Sequence, residues 1–374
     1  RYVHVLKPVV FEHEDMDGHM KKVLIGGMRL GGVTENGNIN PPSDTDPVGR
    51  SGYYALDITD PQNPQYLWSF SPDGMGFSYS GPAYVKRKDE NGDWKRYLMF
   101  ASGPTGYDGT SIQNLEIYTV DMAGGPGVYN STFGDETSEM NIKNAYGGRL
   151  FSDGLDVNDD GQTDFVLLGY TNKADGDFTK MSGGIIKIYT GSDNPDEWEY
   201  DTSFLTTSIG NPVTAPVVSM DCFAKEIDFP YIYFGTGRYF VPRDETYSST
   251  GDLNYLYGVP FTCNATNEGC SGINNINDSS DLDCSDINAV NSSPNRGAWK
   301  IPLSGPTGCY FRERSYSTPS PTEHDIIFFN TAMPNAEICG YGGQSRSWAV
   351  NCASGWSLLD DSCSGFTVDV SEFN

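Results

Sequence analysis

The sequence lacks several features that would assign it to a common functional class. No apolar run approaches the ~18 residues needed to span a bilayer, and histidine occurs only four times. No C-x-x-C pair is present, which together with the scarce histidine argues against a zinc site. Lysine and arginine total 24 against 50 acidic residues, giving a net charge of −26. Binding to nucleic acids and anionic membranes depends on lysine and arginine, so such an acidic surface repels both.

Motifs of enzymes are missing as well. There is no Gly-x-Ser-x-Gly elbow and no adjacent pair of cysteines of the kind found in quinoprotein dehydrogenases. The acidic residues are too numerous for any two to be singled out as a glycosidase pair. We therefore expect no catalytic residues and no enzymatic activity.

What the chain does contain is typical of an all-β protein. Aromatic residues make up 13% of the sequence, and strands favour them, while 43 glycines and 22 prolines supply turns. Extended helical periodicity is not found. The composition predicts one large β domain or two ordinary ones in 374 residues.

The eight cysteines all lie in residues 222–374, among asparagine, serine and glycine. An even, clustered number predicts disulfides and an oxidising compartment, although free buried thiols are the alternative. Sequence does not give the connectivity. Short spacings suggest local loops for Cys263 with Cys270 and for Cys352 with Cys363.

Two kinds of strand-like run alternate along the chain. The first kind comprises residues 23–27, 97–103, 165–169, 231–237 and 326–331; the second comprises 52–57, 115–121, 183–189, 255–259 and 347–350. Markers in the second kind are Ala55, Tyr118, Lys187, Gly258 and Ala349, which are 63, 69, 71 and 91 residues apart. Repetition at such a period predicts sheets repeated around an axis, with long insertions in the loops.

We therefore predict a β-propeller with four-stranded blades that occupies residues 1–374 as a single domain. About five blades are visible, with the first incomplete or missing, and we expect the chain to be a processed or partial product. A series of β-sandwich domains is the alternative, but no linker separates independent cores. An insertion rich in Asn, Asp and Cys spans residues 263–296, and its acidic run 278–286 is either a solvated loop or a second cation site.

The segment Asp156–Asp164, with the sequence DVNDDGQTD, is the most informative in the chain. Its oxygen-bearing side chains recur at alternate positions, those of Asp156, Asn158, Asp160 and Asp164, and a main-chain carbonyl is expected from Gln162. Ligand positions 1, 3, 5, 7 and 9 of a Ca²⁺ loop have this spacing, with glycine at position 6 for the turn. The alternative is an ordinary surface turn.

The residue at position 12 of this loop distinguishes a helical calcium site from one that precedes a strand. A helical EF-hand needs a bidentate glutamate there, whereas this chain has Leu167, inside the apolar run 165–168. We therefore expect a Ca²⁺ loop that leads into a β-strand.

Three segments resemble the C-terminal propeller of the PilY family of type IV pilus tip-associated adhesins and biogenesis factors. They are residues 52–70 (GYYALDITDP…YLWSF), residues 233–258 (YFGTGRY…LYG) and residues 326–348 (IIFFNTAMP…SW). The calcium loop falls between the first two, as in that family. The loop and its strand also look like the calcium-bearing repeats of integrin α-subunit propellers, which repeat the loop in several blades.

The PilY resemblance implies a calcium-binding, surface-exposed module that acts in pilus assembly, in control of extension and retraction, and in adhesion. The implied partners are minor pilins, other pilus subunits or an N-terminal portion of the same protein, at the pilus tip outside the cell. The chain departs from the family in lacking an Arg-Gly-Asp tripeptide, the usual first-blade strand and the adhesion module. Alternatives from other classes are a structural filament or surface-layer component and a quinone-dependent enzyme.

Overall fold

The computed structural model describes most of the chain, and its sheets account for the bulk of that part. The described residues are 8–14, 18–29, 51–72, 74–106, 109–122, 128–131, 142–173, 181–201, 209–222, 230–238, 253–262, 271–272, 277–278, 298–303, 312–322, 325–334, 343–355 and 367–370. Within them the protein is all-β, as its composition predicts, with one short 3-10 helix at Pro195–Glu197. No described helix is long and apolar enough to cross a membrane.

The first two sheets each contain four strands in chain order. The first consists of β1 (Val9–Glu14), β2 (Met20–Gly27), β3 (Tyr53–Asp57) and β4 (Gln65–Phe70). The second consists of β5 (Ala83–Lys88), β6 (Trp94–Ala101), β7 (Ile117–Asp121) and β8 (Val128–Ser131). Every pair of neighbouring strands in both sheets is antiparallel.

The remaining three sheets repeat this order. The third has β9 (Ala145–Gly147), β10 (Phe165–Lys173), β11 (Met181–Tyr189) and β12 (Glu199–Asp201). The fourth has β13 (Val218–Asp221), β14 (Pro230–Gly235), β15 (Asn254–Thr262) and β18 (Trp299–Leu303), extended by β16 (Ser271–Gly272) on β15 and β17 (Asn277–Asp278) on β18. The fifth has β19 (Ser320–Pro321), β20 (Ile326–Pro334), β21 (Gly343–Asn351) and β22 (Thr367–Val370).

The sheets bear out the repeat that the sequence predicts. All five runs of the first kind lie in the second strand of a sheet, and all five markers of the second kind lie in the third strand. One expectation is corrected: the first visible sheet has four strands and is not incomplete. Its first strand escaped notice because Val9–Glu14 has only three apolar residues, followed by Glu-His-Glu, and half of its residues are exposed.

The chain divides into two compact units. One comprises residues 1–168, 172–175 and 187–201, and the other comprises residues 169–171, 176–186 and 202–374. The first two sheets belong to the first unit and the last two to the second, while residues of the third sheet fall in both. The single domain expected over residues 1–374 stays a prediction.

Aromatic side chains form much of the core of each unit. In the first, Phe70, Phe100 and Tyr118 pack with the aliphatic side chains of β2 and β6. In the second, the core contains Tyr231, Tyr233, Trp299, Phe329 and Trp348, all buried. Large rings bury much apolar area per residue, which lets a chain with only 37% hydrophobic residues build cores in both units.

A disulfide joins Cys222, directly after β13, to Cys352, directly after β21, with their Cα atoms 5.9 Å apart. Disulfide formation is therefore confirmed for this pair, and the local pairing suggested for Cys352 with Cys363 is wrong. Sequence spacing misled because β21 ends beside β13, 130 residues away along the chain. Cys263 and Cys270 lie outside the described residues. So do most of the 263–296 insertion and, apart from Asp278, the acidic run 278–286.

Candidate metal site

The predicted calcium loop lies between β9 and β10 and is closed at its base by backbone hydrogen bonds. Leu155 and Phe165 form an isolated antiparallel bridge, in which the N–H of Leu155 donates to the carbonyl of Phe165 (2.8 Å). The N–H of Asp164 donates to the carbonyl of Leu155 (2.7 Å). The loop therefore leads straight into the buried strand β10, which confirms the expectation that a strand comes directly after it.

Two residues with positive φ produce the turn. Gly161 has a φ of 82°, as expected of the glycine at position 6, and Asp159 has a φ of 58°. Aspartate and asparagine adopt this left-handed region more readily than other side chains. Asp159 occupies position 4, which is not a ligand position in the predicted spacing.

The side-chain oxygens in the first half of the loop bond to the loop's own backbone. Asp156 accepts from the N–H of Asp160 (3.2 Å) and of Gly161 (2.7 Å), and Asn158 Oδ1 also accepts from Asp160 N–H (3.0 Å). These bonds fold the chain around the oxygens of positions 1 and 3. The structure thus brings together the residues that the spacing selected at the start of the loop.

Gln162 links the loop to the neighbouring sheet through its side chain. Its backbone N–H and its Nε2 donate to the two carboxylate oxygens of Asp160 (2.7 and 2.9 Å), while its Oε1 accepts from the backbone N–H of Lys88 in β5 (2.8 Å). The side-chain contacts were not foreseen. The expectation that Gln162 offers its main-chain carbonyl to a cation stays a prediction.

Asp164 is the most buried of the predicted ligands, with 4% of its surface exposed. Its Oδ2 accepts from the N–H of Val157 (2.9 Å) and its Oδ1 lies 3.6 Å from Nη1 of Arg87. Burial raises the pKa of Asp164, and the charges of Asp160 and Asp156 act in the same direction. The hydrogen bond from Val157 and the charge of Arg87 oppose the rise without cancelling it.

Asp160 is exposed, and its pKa is shifted in the opposite direction to that of Asp164. Partial burial would by itself raise its pKa, but the two hydrogen bonds from Gln162 and the nearby charges of Arg87 and Lys88 outweigh this effect and lower it. The loop therefore holds two carboxylates whose surroundings shift their pKa values in opposite directions.

Sequence reasoning did not find the basic residues that face the loop. Arg87 and its neighbours Lys86 and Lys88 lie in β5, and Thr163 joins that strand to the loop through its N–H, which donates to the carbonyl of Lys86 (2.9 Å). The run of three basic residues, in a chain with 50 acidic residues, could have indicated a neighbouring acidic group, because opposite charges attract.

The donor set fits a hard cation. Asp156, Asn158, Asp160 and Asp164 offer only oxygen, which Ca²⁺ prefers. The ligand atoms of the three carboxylates do not all lie within 4.8 Å of one another. Among the residues that the structure describes, the only three acidic, histidine or cysteine side chains with ligand atoms all within 4.8 Å belong to Cys222, Asp325 and Cys352. The two sulfurs of that group form the disulfide, so it is no competing metal site.

Repeated four-stranded sheets and an acidic loop of oxygen donors define this chain as an all-β repeat protein with a candidate calcium site. No family model matches it. Two curated proteins of Xylella fastidiosa (strain Temecula1), each named "Type IV pilus biogenesis factor PilY1 homolog", are similar over most of it. One is 26% identical over 376 residues, covering 92% of this chain and 22% of the relative. The other is 22% identical over 317 residues, covering 83% and 23%. Both similarities support membership of the PilY family, and the chain spans less than a quarter of the length of these relatives.

The comparison with solved structures gives weak likenesses, which include two glycosidases. An endo-1,5-alpha-L-arabinanase from Thermotoga petrophila RKU-1 is 12% identical with a TM-score of 0.33, covering 96% of this chain and 79% of that one. A xylan beta-1,4-xylosidase from Bacillus halodurans C-125 is 10% identical with a TM-score of 0.32, covering 99% and 71%. Likenesses at this level carry no argument about fold or activity.

Proposed function

We propose that this chain is a calcium-binding β-propeller module of a type IV pilus biogenesis factor, exposed at the cell surface at the pilus tip. The five sheets, four of them four-stranded and one extended to six strands, are the blades in this proposal, and their second and third strands correspond to the repeated runs of the sequence. Radial repetition of such sheets leaves only short, protected edges. The names of the two curated relatives support a role in pilus biogenesis.

The calcium site is supported above all by the surroundings of Asp164. Its carboxylate is buried and lies near the charges of Asp160 and Asp156, and burial, with smaller contributions from those two charges, raises its pKa despite the hydrogen bond from Val157 and the charge of Arg87. Bound Ca²⁺ supplies the missing positive charge. The side chains of Asp156, Asn158, Asp160 and Asp164 would hold it, with the main-chain carbonyl of Gln162.

Calcium then acts through the two strands that the loop contacts. The loop is continuous with β10 and is bonded to β5 through Gln162 and Thr163. Ordering the loop fixes its position on both strands, and with it the surface formed there. We propose that this surface contacts minor pilins or other pilus subunits, or an N-terminal portion of the same protein. Calcium occupancy would thereby influence pilus assembly, extension and retraction, and adhesion.

The proposed role is not catalytic. The curated relatives are named as biogenesis factors, and the glycoside hydrolases are too distant in structure to favour an enzyme. Of the four histidines, His13 and His19 are described, and His13 hydrogen-bonds its neighbour's carbonyl rather than a nucleophile.

Capture of minor pilins by the immobilised chain tests this function. We expect wild type to bind one equivalent of Ca²⁺ in calorimetry and to retain purified minor pilins in calcium but not in chelator. Asp164→Asn is expected to lose calcium affinity by about tenfold or more, because it removes a buried ligand charge, and to retain pilins poorly at limiting calcium.

Asp159→Asn is the matched control. It removes one negative charge from the same loop at a non-ligand position, and asparagine tolerates the positive φ found there. Its calcium affinity should stay within about threefold of wild type. Equal affinities for both variants would refute the calcium site. Equal pilin retention with and without calcium would leave the calcium site intact and refute its role in partner binding. That result is expected of a structural filament or surface-layer component.

A further inference from the structure

Arg87 makes more contacts around the loop than any purely local role in β5 requires. Its Nη1 donates to the carbonyl of Thr163 (3.1 Å) and its Nη2 to the carbonyl of Gly191 (2.7 Å). The same Nη1 lies 3.6 Å from Asp164 Oδ1. The guanidinium therefore joins β5 to the end of the loop and to the residues that follow β11.

This guanidinium and the carboxylate of Asp164 are both shielded from water. The Arg87 side chain is 13% exposed and that of Asp164 is 6% exposed. The Nε of Arg87 is buried and has no hydrogen-bond partner among the described residues, so a buried donor is left unsatisfied. Charges in such surroundings interact more strongly than charges on the surface.

Both oxygens of Asp164 are already engaged in this arrangement. Oδ2 accepts from the N–H of Val157 and Oδ1 faces Arg87. A cation bound to Asp164 must share these oxygens, and its two positive charges would lie close to the guanidinium. Like charges at short range in partly buried surroundings repel strongly.

We propose that Arg87 is a built-in competing cation for the calcium site, one that holds Asp164 in the metal-free protein and weakens calcium binding. This rests on the proposed calcium site. Arg87 is not a ligand. It neutralises part of the loop's negative charge, keeps the loop attached to β5 when calcium is scarce, and sets the calcium concentration at which the loop fills.

A purely structural role for Arg87 predicts the opposite sign. If Arg87 merely supported the loop, its loss would disorder the ligands and weaken calcium binding. If Arg87 competes with calcium, the loss of Arg87 tightens calcium binding and destabilises the metal-free protein. The direction of the change in affinity thus separates the two roles.

Calorimetric titration of the purified chain with CaCl₂, and thermal unfolding in chelator, test the proposal. Arg87→Gln is expected to bind Ca²⁺ about tenfold more tightly than wild type and to unfold at a lower temperature in chelator. Added calcium should raise its unfolding temperature more than that of wild type, because ligand binding stabilises the folded state by an amount that grows with the logarithm of the ligand concentration divided by Kd.

Two further variants serve as controls. Lys88→Gln removes the charge of the adjacent residue, whose Nζ lies 4.7 Å from the Trp94 ring centroid and whose effect on the pKa of Asp160 is smaller than that of Arg87. Its calcium affinity should therefore change less than that of Arg87→Gln, by about threefold or less. Arg87→Lys keeps the charge without the planar fork of donors. It should unfold at a lower temperature than wild type in chelator and yet bind calcium almost as wild type does.

The possible outcomes separate this proposal from the calcium site itself. Wild type that binds calcium, with Arg87→Gln equal or weaker, overturns the competing role and leaves the site intact. An equal gain in Lys88→Gln also overturns it, since any nearby charge would then suffice. If Arg87→Gln binds calcium and wild type does not, the competing role is supported, and the proposal that the wild-type protein binds calcium is overturned. No binding by either overturns both.

Discussion

Asp164 and Arg87 show what a sequence reveals about a site and what it hides. The loop from Asp156 to Asp164 is contiguous, so alternating oxygen donors and the turn glycine can be recognised from spacing alone. Arg87 lies 76 residues before Thr163, whose carbonyl it binds. Only the pairing of sheets brings it to the loop, and no local pattern encodes that pairing. The candidate ligands could therefore be chosen from spacing alone, whereas the neighbouring guanidinium could not.

The raised pKa of Asp164 leads to a prediction about pH. In the metal-free protein this carboxyl holds its proton above its ordinary value of 3.8, so its contribution to stability is present at low pH and is lost as pH rises through the raised pKa. Calcium binds the ionised form. Calcium affinity should therefore fall as pH decreases from neutrality towards 3.8.

Calorimetry across this pH range measures the effect in wild type, Asp164→Asn and Asp159→Asn. The fall should be much shallower in Asp164→Asn and unchanged in Asp159→Asn. The lowered pKa of Asp160 places its own titration below this range. A pH dependence in Asp164→Asn as steep as in wild type would show that another group is responsible.

At the scale of elements, the central strands were predictable and the outer ones were not. Runs such as Phe165–Gly169 are almost fully buried and apolar, so they stand out in the sequence. Outer strands such as β12 and β19 contain only three and two residues, too few to show a period. They form because a neighbouring strand offers its backbone groups, and this is a tertiary effect.

Strand β4 tests whether burial decides the stability of an outer strand. Its pairing with β3 is irregular: Ala55 lies opposite Trp68 and Leu56 opposite Tyr66, which leaves Leu67 as the extra residue of a bulge. Trp68 is 4% exposed and Leu67 is 42% exposed. Trp68→Ala should lower the free energy of unfolding by about 3–5 kcal/mol, and Leu67→Ser by about 0.5 kcal/mol or less.

Urea denaturation measures both changes. Unfolding is monitored by circular dichroism and not by tryptophan fluorescence, because one variant lacks Trp68. Comparable losses in the two variants would mean that β4 is held by its backbone pairing and not by the buried ring.

At the scale of the whole molecule, the repeat was predictable because each of the five sheets has the same kind of central strands. The first strand of the first sheet was missed, since half of its residues are exposed. The long-range disulfide could not be read from spacing, because Cys222 and Cys352 meet only once β13 and β21 have found their sheets. Connectivity between distant segments follows from the fold and does not precede it.

The bond between Cys222 and Cys352 should stabilise the folded chain against denaturant. It closes a loop with a sequence separation of 130, and crosslinks of that length contribute about 2–5 kcal/mol by restricting the unfolded chain. The double variant Cys222→Ser/Cys352→Ser should lose about this much free energy of unfolding in urea. An unchanged midpoint would indicate that the loss is offset elsewhere.

The same bond bears on the fate of this protein when a protease cuts it. A single cut between residues 223 and 351 separates the backbone but leaves the two pieces covalently joined through Cys222 and Cys352. After limited trypsin digestion, the wild-type chain should run as one band without reductant and as two with it. In the double serine variant, the pieces should part without reductant. Peptide-bond continuity in this stretch is thus not required to keep β13 and β21 in one molecule.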